Sequence, residues 1–313
     1  MSAVLNGVFI NGQWQAGHEV LEVINPATEA TLAHVSVGDA SAVELAVDAA
    51  SAAFVDWSKS SGRDRGALLR KVAQGVSEQR EQLMQLQSSN NGKPLFEASI
   101  DVDDVIATFE YYAGICDAMD AGQDCKVALP SDDFSARMRR EPCGVVGLIV
   151  PWNFPMVTTA WKLAPALAAG CCVVLKPSEV TPLAELQLAR IIAEAGFPAG
   201  VFNLVCGTGL AVGAPLAADR RVAKISFTGS NAVGVQVMQR AAETIKGVSL
   251  ELGGKSSLLV LADADLDLAV ELACGGGFFN AGQICSATSR VLVADNLADE
   301  FLQRLQARAE GIR

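Results

Sequence analysis

The stretch Val145-Val146-Gly147-Leu148-Ile149-Val150-Pro151-Trp152-Asn153-Phe154-Pro155 changes from an unbroken apolar run to turn-forming residues within a few positions. A short, largely β-branched run that ends at a proline is typical of a buried strand. Similar runs follow at residues 172–175, 201–205 and 223–227, and helical patterns lie between or after them at residues 155–169, 182–195, 209–218 and 231–245. This alternation predicts an α/β fold with a doubly wound parallel sheet, which binds ligands at the carboxyl ends of its strands.

The residues before this sheet follow a different pattern. Residues 1–35 alternate between short apolar runs and turn residues, and they contain both histidines of the chain, His18 and His34. Asp39 is predicted to cap the first of several helices, the last of which spans about residues 97–119. Residues 123–141 break the helical pattern, and we expect them to form a projecting β-hairpin.

Composition limits the classes of function that fit the chain. The 313 residues carry a formal net charge of −11, which argues against a nucleic-acid partner. The longest apolar stretch, residues 163–175, contains Pro165 and Gly170 and is too short to cross a bilayer, so no membrane partner is expected. The N-terminus lacks the basic region of a signal peptide. The eight cysteines show neither Cys-x-x-Cys nor zinc-type spacing, which predicts a reduced, cytoplasmic protein without a metal.

Three side chains suit chemistry on a carbonyl carbon. Cys285 follows a Gly-rich apolar run; a thiol attacks as thiolate, and a turn that exposes it to backbone N–H groups favours reactivity. Taken alone, Cys285 would more often be a buried structural cysteine. Asn153 offers an amide N–H₂ to an oxyanion, although asparagine is also common in turns before proline. Glu251 lies between Leu250 and Leu252, and a carboxylate among apolar neighbours can act as a general base.

The segments after the predicted strands suit a dinucleotide. In Phe227-Thr228-Gly229-Ser230, Gly229 allows a tight turn into a helix whose N-terminus attracts a pyrophosphate; an ordinary strand–helix turn fits this segment equally well. Lys176 and Glu179 follow the second strand. A carboxylate there can accept hydrogen bonds from both ribose hydroxyls and would repel a 2′-phosphate, which favours NAD over NADP. The alternative is a surface Lys–Glu pair at a helix start.

A cysteine nucleophile leaves two reaction classes to compare. A Cys–His hydrolase needs a histidine base, and His18 and His34 lie in the strand-and-turn region at the start of the chain. A cysteine nucleophile, a glutamate base and a nucleotide site together fit aldehyde oxidation better.

Five motifs in the same order resemble the aldehyde dehydrogenase superfamily. They are Pro151-Trp152-Asn153-Phe154-Pro155, Lys176-Pro177-Ser178-Glu179, Phe227-Thr228-Gly229-Ser230, Leu250-Glu251-Leu252-Gly253-Gly254-Lys255-Ser256 and Gly282-Gln283-Ile284-Cys285. The resemblance implies that Cys285 is the nucleophile, that Asn153 holds the oxyanion, and that Glu251 activates the water that hydrolyses a thioester. It also implies an NAD site formed by Ile149, Val150, Trp152, Lys176, Ser178, Glu179, Gly209, Phe227, Thr228, Gly229, Ser230, Gly234 and Leu252.

Two further segments are similar to the betaine-aldehyde and aminoaldehyde branch of that superfamily. They are Asp101-Val102-Asp103-Asp104-Val105 and Cys285-Ser286-Ala287-Thr288-Ser289-Arg290. The resemblance implies that Asp101 and Asp104 attract a cationic amine near the mouth of the substrate tunnel. It implies that Trp161 lines this tunnel, where its ring could add a cation–π contact. By spacing alone, two aspartates three residues apart are more typical of a solvated helix face.

The resemblance also implies a domain organisation. We expect a Rossmann-like NAD-binding domain at residues 1–122 and 142–253, a β-hairpin oligomerisation arm at 123–141, and the first part of an α/β catalytic domain at 254–313. Family members continue beyond this length, so the chain is expected to be C-terminally incomplete, and the complete chain to form a homodimer or homotetramer. Two other hypotheses stay open: a truncated, inactive chain that at most binds NAD or partners, and an acylating dehydrogenase that releases a coenzyme A thioester, which the presence of Glu251 disfavours.

Overall fold

Short strands and then long helices form the first part of the structure, a computed structural model that describes residues 4–131 and 133–312. The elements are β1 (Val4–Asn6), β2 (Val8–Ile10), β3 (Gln13–Gln15), β4 (Glu19–Ile24), β5 (Thr31–Val37), α1 (Ala40–Trp57), α2 (Gly62–Glu78), α3 (Arg80–Asn91), α4 (Leu95–Ala121), β6 (Cys125–Val127) and β7 (Ala136–Met138). The predicted cap is confirmed, because the Asp39 carboxylate accepts hydrogen bonds from the N–H groups of Ser41 and Ala42.

Strands and helices alternate in the second part, as the sequence predicts. The elements are β8 (Val145–Ile149), α5 (Pro155–Ala168), β9 (Cys172–Lys176), α6 (Leu183–Ala195), β10 (Phe202–Val205), α7 (Ala214–Ala218), β11 (Val222–Gly229), α8 (Asn231–Ala242), β12 (Gly247–Leu252), β13 (Ser257–Val260), α9 (Leu266–Phe278), β14 (Arg290–Val293) and α10 (Ala298–Glu310). The helix expected at residues 209–218 begins instead with a π-helical turn, Gly209–Gly213, before α7.

Seven strands form the central sheet in the order β12-β11-β8-β9-β10-β2-β3. The five strands from β12 to β10 are parallel, which confirms the doubly wound sheet. β2 and β3 extend it in antiparallel fashion, an extension that the sequence did not predict. Phe227 pairs with Ile149 and Ile149 pairs with Lys176. The carboxyl ends of β11, β8 and β9 therefore lie side by side.

Helices pack on the sheet in two groups. α1 contacts β8, β9, β10 and α7, whereas α5 contacts β8 and β9 and packs with α2, α4 and α6. The apolar face of α1 that begins at Val43 lies in the main core, as predicted. Residues after β12 form a second, smaller core around Val260, Val270 and Phe301. The residues that the structure describes thus form two apolar cores, and the larger one supports the carboxyl edge of the sheet.

The remaining strands form small sheets away from this edge. β6 and β7 pair as an antiparallel hairpin within residues 123–141, β13 pairs with β14, and β1, β5 and β4 form a third sheet. Residues 1–3, Asp132 and Arg313 belong to the expected domains but lie outside the described residues. Within residues 4–131 and 133–312, no helix combines the length and apolar character needed to cross a membrane. The same residues hold no cluster of acidic, histidine and cysteine side chains suited to a metal ion.

Candidate active site

A cavity of about 1240 Å³ opens at the carboxyl ends of β8, β9 and β11. Side chains from the loops after these strands and from the segment before β14 line it. The sequence-predicted residues on its wall are Asp101, Asp104, Ile149, Val150, Trp152, Asn153, Trp161, Lys176, Ser178, Glu179, Gly209, Phe227, Thr228, Gly229, Ser230, Leu252 and Cys285. Glu251 and Gly234 are the two predicted site residues that do not line it. The fold thus brings residues from distant segments of the chain together in one site.

Cys285 lies exposed in a turn at the edge of this cavity. Its carbonyl oxygen accepts a hydrogen bond of 3.1 Å from the N–H of Gly254, which follows β12. This bond joins residues 280–286, the cysteine loop, to the end of the sheet. The expectation that Cys285 is an accessible thiol and not a core residue therefore fits the structure.

Asn280 holds the cysteine loop to the rest of the site, a role that the sequence analysis missed. Its side chain is fully buried, and its Nδ2 donates to the carbonyl oxygens of Asn153 (2.8 Å) and Gln283 (3.2 Å). Its backbone N–H donates to the carboxylate of Glu97 on α4. Asn153 Nδ2 in turn donates to the Gln283 carbonyl at 2.8 Å. Asn153 and the cysteine loop are thus joined directly by hydrogen bonds.

The cysteine loop contains a left-handed turn that glycine would tolerate better than alanine. Asn280, Ala281 and Gly282 have φ angles of 52°, 54° and 78°. This region costs an L-residue with a Cβ roughly 1–2 kcal/mol, and asparagine or glycine less. We expect Ala281→Gly to raise the free energy of unfolding by about 1 kcal/mol, measured by urea denaturation. Ala287→Gly, at a position outside that region, should instead lower stability; equal effects of both variants would contradict the argument.

Glu251 does not meet the expectation of a carboxylate among apolar neighbours. Its side chain is exposed on β12, the outer strand of the sheet. Successive side chains in a strand point to opposite faces, so Leu250 and Leu252 pack on the core while Glu251 does not. The sequence neighbours of Glu251 are therefore not its spatial neighbours, and the expected apolar environment is wrong. Its role as a base stays a prediction.

Lys162 is a second site residue that the sequence analysis missed. It follows Trp161 on α5, and its Nζ donates to Ser226 Oγ at 3.0 Å. Burial lowers the pKa of Lys162 to about 8, while the nearby Glu251 carboxylate acts in the opposite direction. The Glu251 carboxylate is thus close enough to Lys162 to affect the pKa of that ammonium group. In the sequence, only its place next to Trp161 in the helix predicted at residues 155–169 pointed to Lys162.

The loop after β9 presents a charged pair to the cavity. Lys176 is buried, and its Nζ donates to Glu179 Oε2 at 2.6 Å. Burial raises the pKa of Glu179, but the Lys176 ammonium outweighs this effect, so that the pKa lies below its usual value. Glu179 is therefore an ionised hydrogen-bond acceptor at neutral pH.

The turn after β11 is shaped for close packing. Ser230 caps α8, and its Oγ accepts a hydrogen bond from the N–H of Val233 at 3.3 Å. A Cβ on Gly229 would lie 2.5 Å from the ring of Phe227, and one on Gly234 would lie 2.7 Å from Leu252. Gly234 therefore acts in helix–strand packing and not on the cavity wall. The N-terminus of α8 opens to the cavity through Ser230.

Asp101 and Asp104 share a helix but have different surroundings. Asp101 is 4% exposed and forms an ion pair with the fully buried Lys93, which also lies 4.3 Å from the centre of the Phe154 ring. Burial lowers the pKa of Lys93 and raises that of Asp101, against their mutual attraction. Asp104 accepts a hydrogen bond of 3.1 Å from Trp161 Nε1. Asp104 is thus the aspartate whose charge lacks a buried lysine partner.

Comparisons with known proteins match nearly the whole chain, and they agree with one another on its family. The model of the aldehyde dehydrogenase family matches residues 14–313. Betaine aldehyde dehydrogenase 1 from Oryza sativa subsp. japonica is 48% identical over 314 residues, which cover 98% of this chain and 62% of the relative. The peroxisomal aminoaldehyde dehydrogenase 2 from Pisum sativum is 48% identical over 313 residues, with the same coverage of 98% and 62%.

A solved structure shows the same fold. Betaine aldehyde dehydrogenase from Staphylococcus aureus, crystallised in complex with NAD⁺, superposes with a TM-score of 0.94 at 38% identity. The match covers 99% of this chain and 62% of that structure. The chain therefore spans a little under two thirds of the length of these relatives.

Proposed function

Since the chain belongs to the aldehyde dehydrogenase family, as its motifs predicted, we propose that it oxidises an aldehyde to the carboxylic acid with NAD. We propose an ω-amino or betaine-type aldehyde as the substrate. The observation that carries the proposal is that Cys285, Asn153, the loop after β9 and the turn after β11 all line one cavity. The names of the two plant relatives support the substrate class, and the NAD⁺ complex of the bacterial enzyme supports the cofactor.

The carboxyl edge of the sheet fits NAD chemically. Glu179 supplies an ionised carboxylate for ribose hydroxyls, and the N-terminus of α8 supplies N–H groups for a pyrophosphate. Among the described residues, Thr228 Oγ1 is a buried hydroxyl with no hydrogen-bond partner, which leaves it available to a ligand. When bound, NAD supplies the acceptor for the hydride that leaves the substrate carbon.

The residues of the chain provide the remaining steps. Cys285 Sγ adds to the aldehyde carbon and forms a thiohemiacetal. Asn153 Nδ2 and the N–H of Cys285 donate hydrogen bonds to its oxyanion. Loss of hydride converts the adduct to a thioester, and Glu251 takes a proton from the water that attacks it. The thioester C–S bond then breaks, the acid leaves, and Cys285 returns as thiolate.

The cofactor preference is tested at Glu179. Glu179→Ala should raise the dissociation constant for NAD by roughly 10-fold or more, because a charged hydrogen-bond acceptor is lost, and should reduce discrimination against NADP. Binding can be followed by quenching of tryptophan fluorescence. Glu194→Ala, an exposed glutamate on α6, is the matched control. An unchanged affinity in Glu179→Ala would contradict the ribose assignment.

The substrate class is tested at Asp104. Asp104→Asn keeps an acceptor for Trp161 Nε1 but removes the charge. We expect KM for 4-aminobutyraldehyde and betaine aldehyde to rise about 5- to 10-fold, with little change for a neutral aliphatic aldehyde. Asp103→Asn, on the same helix but paired with Arg80, serves as the control. Equal effects on charged and neutral aldehydes would refute the amine assignment.

A product assay separates the candidate reactions. NADH formation from the three aldehydes, with the acid as product and no effect of coenzyme A, is the result that the proposal requires. A coenzyme A thioester as product would instead support the acylating dehydrogenase. Binding of NAD without NADH formation from any aldehyde would support an inactive, NAD-binding chain.

We also propose that residues 123–141 form an oligomerisation arm of a homodimer or homotetramer, outside an NAD-binding domain of residues 1–122 and 142–253 and a catalytic segment of residues 254–313. What supports the arm is that its hairpin exposes the apolar side chains of Val127, Phe134 and Met138. A cytoplasmic location stays a prediction, since the names of relatives include peroxisomal and chloroplastic forms.

A further inference from the structure

Two cysteines meet at the amino end of the parallel sheet, away from the cavity. Cys143 lies two residues before β8, and Cys171 lies between α5 and β9. Their Sγ atoms are 3.7 Å apart. Neither thiol has a part in the proposed reaction, and neither lines the cavity.

The backbone fixes this juxtaposition. Gly170, with φ of 86°, ends α5, and the N–H of Cys171 donates to the Ala166 carbonyl at 3.0 Å in a Schellman-type turn. The next residue, Cys172, donates its N–H to the carbonyl of Gly144 at 3.3 Å. The carbonyl of Cys171 also accepts a hydrogen bond of 3.1 Å from Trp57 Nε1. The two thiols are therefore neighbours because their strands are paired, and not by contact of mobile side chains.

The two thiols differ in a way that suits a reactive and a resolving pair. Cys143 is exposed and Cys171 is buried. The hydrogen bond with Cys171 lowers the pKa of Cys143, and Lys224 adds to this effect. The bond to Cys143 and burial both raise the pKa of Cys171. Cys143 is thus the thiol that ionises first and that an oxidant can reach.

We propose that Cys143 and Cys171 form a peroxide-reactive dithiol that closes to a disulfide. The Cys143 thiolate attacks one oxygen of hydrogen peroxide, the O–O bond breaks, and a sulfenic acid and hydroxide form. Cys171 then attacks the Cys143 sulfur, the S–O bond breaks, and water leaves as the second thiol loses its proton. Two thiols are oxidised by two electrons, and one peroxide is reduced to two waters. Closure brings the sulfurs from 3.7 Å to a bond of about 2.05 Å.

The disulfide would join the residues that lie just before β8 and just before β9, and it would close a loop that contains all of β8 and α5. That loop carries Asn153 and Trp161. The cross-link would therefore constrain the segment that carries Asn153 and Trp161 without a direct contact to Cys285. The oxidation state of the two cysteines can be measured independently of enzyme activity.

Peptide mapping after treatment with equimolar hydrogen peroxide tests the proposal. We expect two of the eight thiols to disappear from a thiol titration, and a linked peptide that lacks two hydrogen atoms to join the Cys143 segment to the Cys171 segment. Dithiothreitol should restore both thiols. A map in which Cys143 and Cys171 stay alkylatable while Cys285 is oxidised would overturn the proposal.

Three variants make the assignment specific. Trypsin leaves Cys171 and Cys172 in one peptide, so the map of the unmodified protein does not tell which of them is linked. If Cys171 is the partner, the link must vanish in Cys171→Ser. A link that persists in this variant must run through Cys172 and would contradict the assignment of Cys171. Cys171→Ser should instead accumulate Cys143 sulfenic acid, trapped by dimedone. Cys143→Ser should leave Cys171 reduced. Cys125→Ser, which removes an exposed thiol whose Sγ contacts the Gly122 carbonyl, should leave the link unchanged.

Discussion

The Cys285→Ser variant should lose steady-state aldehyde oxidation by at least about 10³-fold while it still binds NAD. A serine hydroxyl is a weak nucleophile unless a base takes its proton, and the two histidines of the chain, His18 and His34, do not line the cavity. The oxyanion donor Asn153 and the nucleotide turns remain in place. NADH formation and NAD-dependent fluorescence quenching measure the two properties separately.

Two further variants sharpen this result. Cys125→Ser removes another exposed thiol and should keep full activity. Glu251→Gln should release a single equivalent of NADH in a burst and then stop, because the thioester forms but water is not activated. Normal turnover in Cys285→Ser would refute the mechanism. Normal turnover in Glu251→Gln alone would leave Cys285 in its role and move the base elsewhere.

The parts of the fold that depend on local pattern were predictable. The apolar runs of β8, β9, β10 and β11, bounded by turn residues, predicted the parallel sheet. In a parallel sheet, the segments that follow the strands all begin at the carboxyl edge, so they were expected to lie together there. Most of the cavity wall follows from this one rule. The antiparallel β2 and β3 were not predicted, because their pairing with β10 depends on contacts between residues far apart in sequence.

The electrostatic details of the site were the less predictable part. The environment of Glu251 was inferred from its sequence neighbours, but a strand turns neighbours to opposite faces. The sequence analysis assigned no role to Lys93, yet it is the buried partner of Asp101. Asn280 takes its role from Asn153, more than 100 positions away in the chain. Contacts of this kind exist only in the folded chain.

The pair of Lys93 and Asp101 leads to the second large expected effect, which is on stability. Their side chains are 0% and 5% exposed, so removal of one partner leaves a charged or polar group buried without compensation. We expect Asp101→Ala to lower the free energy of unfolding by about 3–5 kcal/mol, measured by urea denaturation. Asp103→Ala breaks an exposed pair with Arg80 on the same helix and should have a much smaller effect.

A double variant distinguishes a structural role of Asp101 from substrate binding. Replacement of both partners, Lys93→Met with Asp101→Leu, removes the buried charges together and should recover most of the stability lost in Asp101→Ala. Lys93 lies over Phe154, which stacks on Phe279 beside the cysteine loop at 6.5 Å between ring centres. If Asp101 acts through this packing, kcat should recover with stability in the double variant, for cationic and neutral aldehydes alike. If the double variant recovers stability but KM stays high for cationic aldehydes alone, Asp101 contacts the amine itself. In that case it is wrong to assign Asp101 to the buried ion pair and Asp104 to the amine.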